Sequence, residues 1–356
     1  MFDPRWQQLA EVLVGYSTGI QPGERVLITM LETDTLPLVR AVYAAAVRAG
    51  AYPFVEFQSA YLERDLMLYG SEAQIEWACE MQAYGMEWAA VNIAIRGVRN
   101  PHEFDSIAPD KIALHRKALG QISALRTEKT RWVIVTVPNE AFAQQAGMSH
   151  DQAMSLFFDA TLCDWAAEGE RYRAIQQRFQ AAETVRIVGE GTDLTLSTAG
   201  RQYHVDDGHI NMPGGEVYTA PVEDSAEGHI YFEHPAVLAG QFVYGVRLAF
   251  SKGLVVEATA ERNQDFLLSV LDTDAGSRRI GEFAVGTNPG VTRFCNNIFY
   301  DEKIAGTVHI ALGRSYASCG GVNQSAIHWD IIKDLRQNGQ LFLDGQLVFE
   351  NGRFIG

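Results

Sequence analysis

The residues best placed for chemistry lie near the carboxyl end of the chain. His328 and Asp330 stand two apart in the run SAIHWDII, and His309 precedes them in VHIALG. On a pleated strand, residues two apart share one face, so the His328 imidazole and the Asp330 carboxylate point the same way and form half of a divalent-metal site. A simple hydrogen bond between the two is the alternative. The opposite face of that strand carries residues that we expect in a core: Ile327, Trp329 and Ile331.

Four further polar residues occur in the same half of the chain, among apolar neighbours: Glu216, Glu282, Glu302 and Tyr316. A charged residue inside an apolar strand is costly unless it is paired or binds a metal. Three more carboxylates beside two histidines and an aspartate are about the number of ligands that a pair of metals with bridging carboxylates needs.

Each of these four residues also has a simpler interpretation. Glu216 fits the cap of a turn, and Tyr316 fits a packed aromatic side chain. Glu282 fits an ion pair with one of the two arginines just before it. Glu302 is followed by a lysine, a pattern more typical of a solvated surface than of a buried site.

The first half of the chain alternates strands and helices. Four short apolar runs predict strands: ERVLITM (24–30), YPFVEFQ (52–58), AAVNIAIRG (89–97) and WVIVTVPN (132–139). Capping boxes at Ser71–Gln74 and Ser149–Gln152 predict helix starts, the first for a helix that reaches about Met86. This alternation predicts an α/β domain with an open, mainly parallel sheet covered on both faces. No glycine-rich phosphate loop follows the first strand, so we predict no nucleotide cofactor there.

From about residue 185 the pattern changes to strands joined by glycine turns. VRIVGEGTDLTLSTAGR and FVYGVRLAFSKGLVVEATA read as hairpins, and the final QLFLDGQLVFENGRF contains Asp-Gly and Asn-Gly turns. One helix, around residues 262–274, interrupts them. We therefore predict an α/β domain over residues 1–183 and a mostly-β (α+β), metal-binding catalytic domain over residues 184–356.

Composition and net charge limit the classes of binding partner and the compartment that we expect for this protein. The chain has 356 residues and a formal net charge of −15. This charge repels phosphate backbones and anionic lipids, so we expect neither nucleic acid nor a membrane as a partner. The four cysteines are scattered, as free thiols in a reducing compartment are. With no signal peptide and no long apolar run, the sequence predicts a cytoplasmic protein.

Several motifs carry a resemblance to a known family. The segments GGEVYTAPVEDSAEG, GEFAVGTNPG, YDEKIAGTVHIALGRSY and SAIHWDII together resemble the M29 family of metal-dependent aminopeptidases. The likeness covers residues 187–356, and in the first half it is limited to the alternation of strands and helices. The loop from Ala317 to Ile327 is shorter than in many members.

The resemblance implies a site. It implies two divalent ions per chain (zinc, cobalt or manganese), held by six residues: Glu216, Glu282, Glu302, His309, His328 and Asp330. It also implies that Tyr316 is an active-site residue. We expect metal-bound hydroxide to attack the first peptide bond, Tyr316 to stabilise the oxyanion, and Glu282 or Glu302 to carry the proton to the leaving amine. The substrates would be peptides with a free N-terminus, and the molecule a homodimer whose α/β domains help enclose the sites.

Two other functions fit part of the pattern. Mononuclear iron ring-cleaving dioxygenases of the dihydroxypyridine type look related and keep an H-x-D strand, but they lack the full set of glutamates. Glu216 and Glu282 therefore argue against this function. A non-catalytic metal-binding or peptide-binding protein is the second alternative, although a complete ligand set plus Tyr316 exceeds what binding alone needs.

Overall fold

The computed structural model describes residues 3–355 and divides the chain into two units. The first contains the residues up to Cys163 together with Gly208–Gly214, and the second contains Asp164–Asp207 and the residues from Gly215 onward. The domain boundary that the sequence predicts after residue 183 stays a prediction. In residues 3–355 no helix is long and apolar enough to cross a membrane.

The first unit is built from parallel strands and the helices that connect them. Its helices are α1 (Arg5–Glu11), α2 (Leu36–Arg48), α3 (Ala60–Tyr69), α4 (Glu72–Ile75), α5 (Glu80–Trp88), α6 (Pro109–Lys129), α7 (Glu140–Gln145) and α8 (His150–Thr161). Its strands are β1 (Arg25–Leu31), β2 (Tyr52–Gln58), β3 (Val91–Arg96) and β4 (Arg131–Thr136), with the short β8 (Asn211–Met212) at one edge. A π-helical turn at Val12–Ser17 follows α1.

The sheet of the first unit has the order β2-β1-β3-β4-β8, and every pairing is parallel. Strands that return through right-handed crossovers place their helices on both faces. Leu27 of β1 packs on Met86 of α5 and Ile122 of α6, while the next residue, Ile28, is fully buried and by alternation faces the other side. The predicted α/β domain with a parallel sheet is thus confirmed.

Two helix predictions for this region need correction. Ser71 and Gln74 do form a capping box, but the helix they begin ends at Ile75. A separate helix, α5, starts after Cys79, whose backbone is extended. The apolar spacing from Met154 to Trp165 in the sequence also predicts one continuous helix after the second capping box, but α8 ends at Thr161 and Asp164 caps a new helix. Apolar spacing continues across these breaks of four and three residues, so spacing alone does not reveal them.

The second unit is mostly antiparallel β-structure. Its helices are α9 (Trp165–Gln180), α10 (Gln264–Leu271) and α11 (Ile298–Asp301). Its strands are β5 (Thr184–Gly189), β6 (Thr192–Ser197), β7 (His204–Asp206), β9 (Glu216–Thr219), β10 (Glu227–Phe232), β11 (Ala236–Leu238), β12 (Gln241–Val243), β13 (Val246–Ser251), β14 (Leu254–Thr259), β15 (Ile280–Gly286), β16 (Thr307–Gly313), β17 (His328–Asp334), β18 (Gln340–Leu343), β19 (Gln346–Glu350) and β20 (Arg353–Phe354).

These strands confirm the predicted hairpins. The largest sheet has the order β14-β13-β10-β6-β5-β18-β19-β20, with glycine turns at the predicted positions 252–253, 344–345 and 351–352. A second sheet, of order β17-β16-β15-β9-β7, carries the predicted chemistry. The two-stranded sheet β11-β12 completes the unit.

One face of the β17-β16-β15-β9-β7 sheet forms a core. Phe283, Ile310 and Trp329, from three adjacent strands, are each at most 1% exposed. The Phe179 ring of α9 lies 6.1 Å from the Phe283 ring, so this helix covers the apolar face. Because side chains alternate along a strand, the residues between these apolar positions project from the opposite face.

Candidate metal centre

Five of the predicted site residues project together from that opposite face: Glu216, Glu282, His309, His328 and Asp330. The register explains why. Ala311 of β16 pairs with Asp330 on one side and with Glu282 on the other, and Gly286 of β15 pairs with Glu216. Residues paired directly across antiparallel strands point to the same face. The sheet therefore gathers side chains that are up to 114 positions apart in sequence (330 − 216).

Small residues separate these side chains and leave room above the sheet. Along β15 the site face reads Glu282, Ala284, Gly286, and along β16 it continues from His309 to Ala311 and a glycine. Gly286 is also required by a close approach, since a Cβ atom there would lie 2.2 Å from the Ile304 carbonyl oxygen. A larger residue at position 286 would push the segment after α11 away from the sheet.

That segment brings Glu302 to the same place. The Glu302 side chain is only 15% exposed, and its Oε1 lies 2.9 Å from the buried amine of Lys303. The surface position that the neighbouring lysine suggests is therefore wrong. The physical reason is the close approach at Gly286, which lays this turn against β15 and is invisible in the local pattern of charges.

The six predicted ligand residues fall into two groups of three. Glu216, Glu302 and His309 form one, and Glu282, His328 and Asp330 form the other. Within each group, one ligand atom from each residue lies within 4.8 Å of the others. Two oxygens and a nitrogen at such spacing can close on a divalent ion by small side-chain rotations.

The two histidines are aimed by different contacts. His328 Nδ1 lies 2.7 Å from the Arg314 carbonyl oxygen, which directs Nε2 towards Glu282 Oε2 at 3.0 Å. His328 Nε2 is 3.6 Å from Asp330 Oδ1, which is too long for the simple hydrogen bond considered above. His309 Nε2 lies 3.4 Å from Glu216 Oε2.

The arginine partners considered for Glu282 are engaged elsewhere. Arg278 pairs with Asp272 at 2.7 Å, and Arg279 donates to the Glu223 carbonyl oxygen at 2.8 Å. An ion pair between Glu282 and either arginine is therefore excluded. Glu282, 4% exposed, instead faces the two histidines.

Buried acceptor atoms without a hydrogen-bond donor show whether these residues fit a bound cation. Within residues 3–355, Glu216 Oε2 and Asp330 Oδ1 are buried and accept no hydrogen bond, and His309 Nδ1 also has no partner. A buried carboxylate oxygen without a donor is costly. The two oxygens belong to different groups of three, so both groups carry an acceptor that a metal ion would satisfy. The donor set, carboxylate oxygens and imidazole nitrogens, fits zinc, cobalt or manganese.

Sequence reasoning missed Lys303 and Asp206. The Lys303 side chain is 0% exposed, and its amine lies 2.6 Å from Glu216 Oε1, 2.9 Å from Glu302 Oε1 and 3.2 Å from Asp206 Oδ2. It therefore holds one oxygen of Glu216 and one of Glu302. Asp206 reaches this position because β7 pairs with β9, where Asp206 lies opposite Glu216. No local signal marks either residue, since Lys303 follows two acids like a solvated lysine.

Burial and mutual charge set the protonation of this centre. Burial raises the pKa of Glu216 well above its usual value, although the Lys303 charge opposes that shift. Burial likewise raises the pKa of Glu302 to about 7. For His328 burial favours the neutral ring, but Asp330 and Glu282 outweigh it and raise its pKa to about 10. Because carboxylates outnumber the two imidazoles, this face of the sheet carries an excess of negative charge.

Tyr316 stands at the rim of the centre. It lies beyond the end of β16, which stops at Gly313, and its side chain is 38% exposed. Its hydroxyl is 3.4 Å from His328 Nε2, and its ring packs on that imidazole at 5.1 Å. Burial of the hydroxyl, followed by the Glu282 charge, raises the pKa of Tyr316. The phenol therefore stays protonated and can donate a hydrogen bond.

Known proteins resemble this chain along almost its whole length. The family described as thermophilic metalloprotease (M29) matches residues 2–354, so the likeness extends through the first half of the chain as well. Aminopeptidase T from Thermus thermophilus is 27% identical over 99% of both chains. Aminopeptidase AmpS from Bacillus subtilis is 26% identical, also over 99% of both.

Two solved structures share the fold. The structure of AmpT from Thermus thermophilus superposes with a TM-score of 0.85 at 24% identity and covers 100% of both chains. A 2,5-dihydroxypyridine dioxygenase from Pseudomonas putida superposes with a TM-score of 0.64 at 14% identity, over 99% of this chain and 97% of its own. The fold therefore accommodates both kinds of protein, and the side chains of the site must distinguish them.

Proposed function

This chain belongs to the thermophilic metalloprotease (M29) family, and from that premise we propose that it is a two-metal aminopeptidase that releases N-terminal residues from peptides. The relatives named aminopeptidase T, PepS and AmpS support the reaction class. The observation that carries the proposal is the arrangement of two groups of three candidate ligand residues at one sheet face, five of them on its strands and Glu302 on the turn packed against it.

The proposed metal ligands follow the two groups. Glu216, Glu302 and His309 would hold one divalent ion, and Glu282, His328 and Asp330 would hold the other. Zinc, cobalt and manganese all suit this donor set. Bound there, such ions supply an activated water and polarise the scissile carbonyl of the peptide.

The protein's own residues orient the ligands. Lys303 binds Oε1 of Glu216 and Oε1 of Glu302, which leaves the second oxygen of each carboxylate for a cation. The Arg314 carbonyl fixes the ring of His328 through Nδ1 and presents Nε2 to the centre. Contacts of this kind, one step outside the metal, commonly set ligand orientation and basicity.

Tyr316 and two glutamates would act on the substrate directly. The Tyr316 hydroxyl is a protonated donor beside His328, placed to hydrogen-bond the oxyanion that develops on the scissile carbonyl. Glu282 or Glu302 would carry a proton to the leaving amine, and the isosteric variants Glu282→Gln and Glu302→Gln separate these two assignments. An acidic centre also suits a substrate's charged α-amine, which would restrict cleavage to the first residue.

The dioxygenase alternative rests on fold similarity and on the H-x-D strand described above. Glu216 and Glu282 stand inside the centre, 6% and 4% exposed, and the face carries four carboxylates. A mononuclear iron centre has no use for so many. The geometry therefore favours the hydrolase. The homodimer and the cytoplasmic location predicted from the sequence stay predictions.

Hydrolysis of leucine amide tests the proposal. Metal-free protein is restored in turn with zinc, cobalt, manganese or iron and given leucine amide or N-acetyl-leucine amide. The proposed amine contact positions the carbonyl, an effect that can reach several kcal/mol, so the free amide should be cut and the acetylated one should survive. Equal cleavage of both amides, or internal cuts in a long peptide, would show that the enzyme is not an aminopeptidase.

A further inference from the structure

A second polar cavity lies in the first unit, apart from any metal-ligand residue. It occupies about 170 Å³ between one face of the parallel sheet and helices α5 and α6. Its strand residues come from β1, β2 and β3, and its helix residues include Met86, Leu119, Ile122 and Arg126. The proposed peptidase reaction uses none of these residues.

The position of this cavity in the sheet is one where α/β folds bind ligands. In the order β2-β1-β3-β4 the chain leaves β1 towards β2 and later returns to the other side, so the order reverses between β1 and β3. The cavity is lined there by Thr29 and Leu31 of β1 and by Arg96, the last residue of β3. Ligands of open parallel sheets bind at the carboxyl ends of strands at such a reversal.

Two arginines in the cavity have no anionic partner. Arg96 is exposed and Arg126 is half-buried. Within residues 3–355 neither forms an ion pair with a carboxylate, and Arg126 Nε is buried without a hydrogen bond. One terminal nitrogen of Arg126 donates to Ser123 at 3.1 Å, and its guanidinium stacks on Trp132. Burial, and after it the charge of Arg96, lowers the pKa of Arg126 to about 10. Two neighbouring cations without a counter-charge attract an anion.

Asn92 adds a buried acceptor to the same lining. It is fully buried, and its amide nitrogen donates to the Leu27 carbonyl oxygen and to Thr29 Oγ1, both at 3.1 Å. Its Oδ1 has no hydrogen-bond partner within residues 3–355. Buried amide oxygens are normally satisfied, so this atom offers a ligand a place for a donor group.

A more apolar cavity adjoins the cavity lined by Arg96 and Arg126, which we call the arginine cavity. It occupies about 210 Å³ and shares four lining residues with the first: Gln58, Gln82, Leu119 and Ile122. Phe57, Leu62 and Trp77 make most of its wall apolar. His115 also lines it, 3.6 Å from Glu63 Oε2, and neither ring nitrogen makes a hydrogen bond within the described residues. The two cavities together can hold an apolar body attached to a charged head.

Two acidic residues lie at or beside these cavities: Glu63 lines the apolar one, with its Oε2 3.6 Å from His115 Nε2, and Glu56 contacts two glutamines that line both. Glu56 of β2 accepts the side-chain amides of Gln58 at 2.8 Å and Gln82 at 3.0 Å through Oε1. It makes no ion pair with Arg96 or Arg126, so it does not neutralise them. The two glutamines hold Glu56 at the boundary between the two cavities.

We propose that this pair of cavities is a second binding site, which takes a small organic anion: a carboxylate on an apolar or aromatic body. The carboxylate would pair with the guanidinium groups of Arg96 and Arg126, whose planar forks match its two oxygens. The body would lie against Phe57, Leu62 and Trp77. A donor group on the ligand would satisfy Asn92 Oδ1.

Calorimetric titration of the metal-loaded protein tests this site, with phenylacetate as the probe. Binding should weaken at least about 10-fold in Arg96→Gln and in Arg126→Gln, because each loses a charge-assisted hydrogen bond. Arg116→Gln is the matched control, since Arg116 is exposed on the same helix as Arg126 and does not line either cavity. Ala94→Leu fills the arginine cavity without removing a charge and should also weaken binding.

Three comparisons keep the test decisive. Neutral phenylacetamide should bind at least about 10-fold more weakly than phenylacetate if the arginines recognise the charge. Inorganic phosphate that binds where phenylacetate does not would show that the ligand class is wrong. A carboxylate held at the metal centre instead would bind the wild-type and Arg96→Gln proteins equally, and that result, or the absence of any binding, would overturn the proposal.

Discussion

The sheet face of the second unit that carries the candidate metal ligands, called here the metal face, and the arginine cavity of the first unit have charge imbalances of opposite sign. On the metal face, Asp206, Glu216 and Glu302 share the buried ammonium group of Lys303, while Glu282 and Asp330 lie against the imidazole of His328. The cavity is lined by two arginines, and within residues 3–355 no carboxylate is paired to either of them. One region is short of positive charge and the other is short of negative charge. On the metal face the uncompensated carboxylates are buried and therefore costly, whereas in the cavity Arg96 is exposed and Arg126 is half-buried. Each imbalance indicates the ligand that would relieve it.

The two regions also differ in how their charged groups are held. The carboxylates of the metal face project from adjacent strands in fixed register, and small residues on the same face leave space for ions. The arginines come from a strand end and from a helix, and one of them is exposed. Rigid strands favour ions with short, defined bonds, whereas long flexible side chains suit organic ligands of less defined shape.

Removal of a metal ligand should have the largest effect. Asp330→Ala or Glu216→Ala deletes an oxygen from one group of three, and loss of the metal's contribution of several kcal/mol should lower kcat/KM by about 10³-fold or more. Stability should change little in Asp330→Ala, since that side chain does not fill the core, whereas Glu216→Ala also removes a partner of the buried Lys303 ammonium and should lower the free energy of unfolding. Metal content and peptide hydrolysis are the measurements, and Glu257→Ala, an exposed carboxylate on β14, is the control. Full activity in Asp330→Ala would remove that residue from the centre.

Tyr316→Phe should come next in size. If the hydroxyl stabilises the oxyanion, kcat should fall by about 10²–10³-fold. Bound metal should stay constant, because the phenol is not among the proposed ligands. Loss of metal together with activity would instead make Tyr316 a ligand.

Lys303→Met tests the metal face, where the Lys303 ammonium group neutralises part of the carboxylate charge. Without the ammonium group, Glu216, Glu302 and Asp206 lose their shared partner, so hydrolysis should fall about 10–100-fold. The free energy of unfolding of the metal-free protein should drop by about 3–5 kcal/mol, as when one partner of a buried ion pair is deleted. Lys129→Met, at an exposed lysine paired with Glu128, is the control for chemical denaturation. A wild-type unfolding curve for Lys303→Met would mean that the ammonium is not needed to hold the carboxylates.

Arg96→Gln tests the arginine cavity, where no carboxylate pairs with the arginines, and should have the smallest effect on the free energy of unfolding. Since Arg96 makes no ion pair within the described residues, its loss should change the free energy of unfolding by no more than about 0.5 kcal/mol. Chemical denaturation in the absence of small anions measures this. A loss as large as that of Lys303→Met would show that Arg96 has a structural partner, and the contrast between the two regions would fail.

Much of the metal face can be predicted from the sequence, because side chains alternate between the two faces along each strand. Alternation in β15 and β17 places Glu282, His328 and Asp330 opposite apolar partners such as Phe283 and Trp329, and the structure agrees with that division of faces. The roles of the ligands, however, came from a family resemblance and not from spacing.

Other parts could not be read from local pattern. Glu302 and Lys303 look like surface residues until the close approach at Gly286 brings their turn against the sheet. Arg96 and Arg126 are thirty positions apart (126 − 96), on a strand and a helix with different periods. Only the packing of α6 on the sheet brings the two side chains to one cavity, and no periodicity encodes that arrangement.

The number of ions that activity needs tests the central claim most directly. Metal-free protein is titrated with manganese, cobalt or zinc while bound metal and hydrolysis of leucine amide are measured on the same samples. The two groups of three ligands predict that bound metal approaches two ions per chain and that activity keeps rising until the second is filled. Saturation at a single tightly held iron, with oxygen consumed on an aromatic substrate, would contradict the two-metal aminopeptidase.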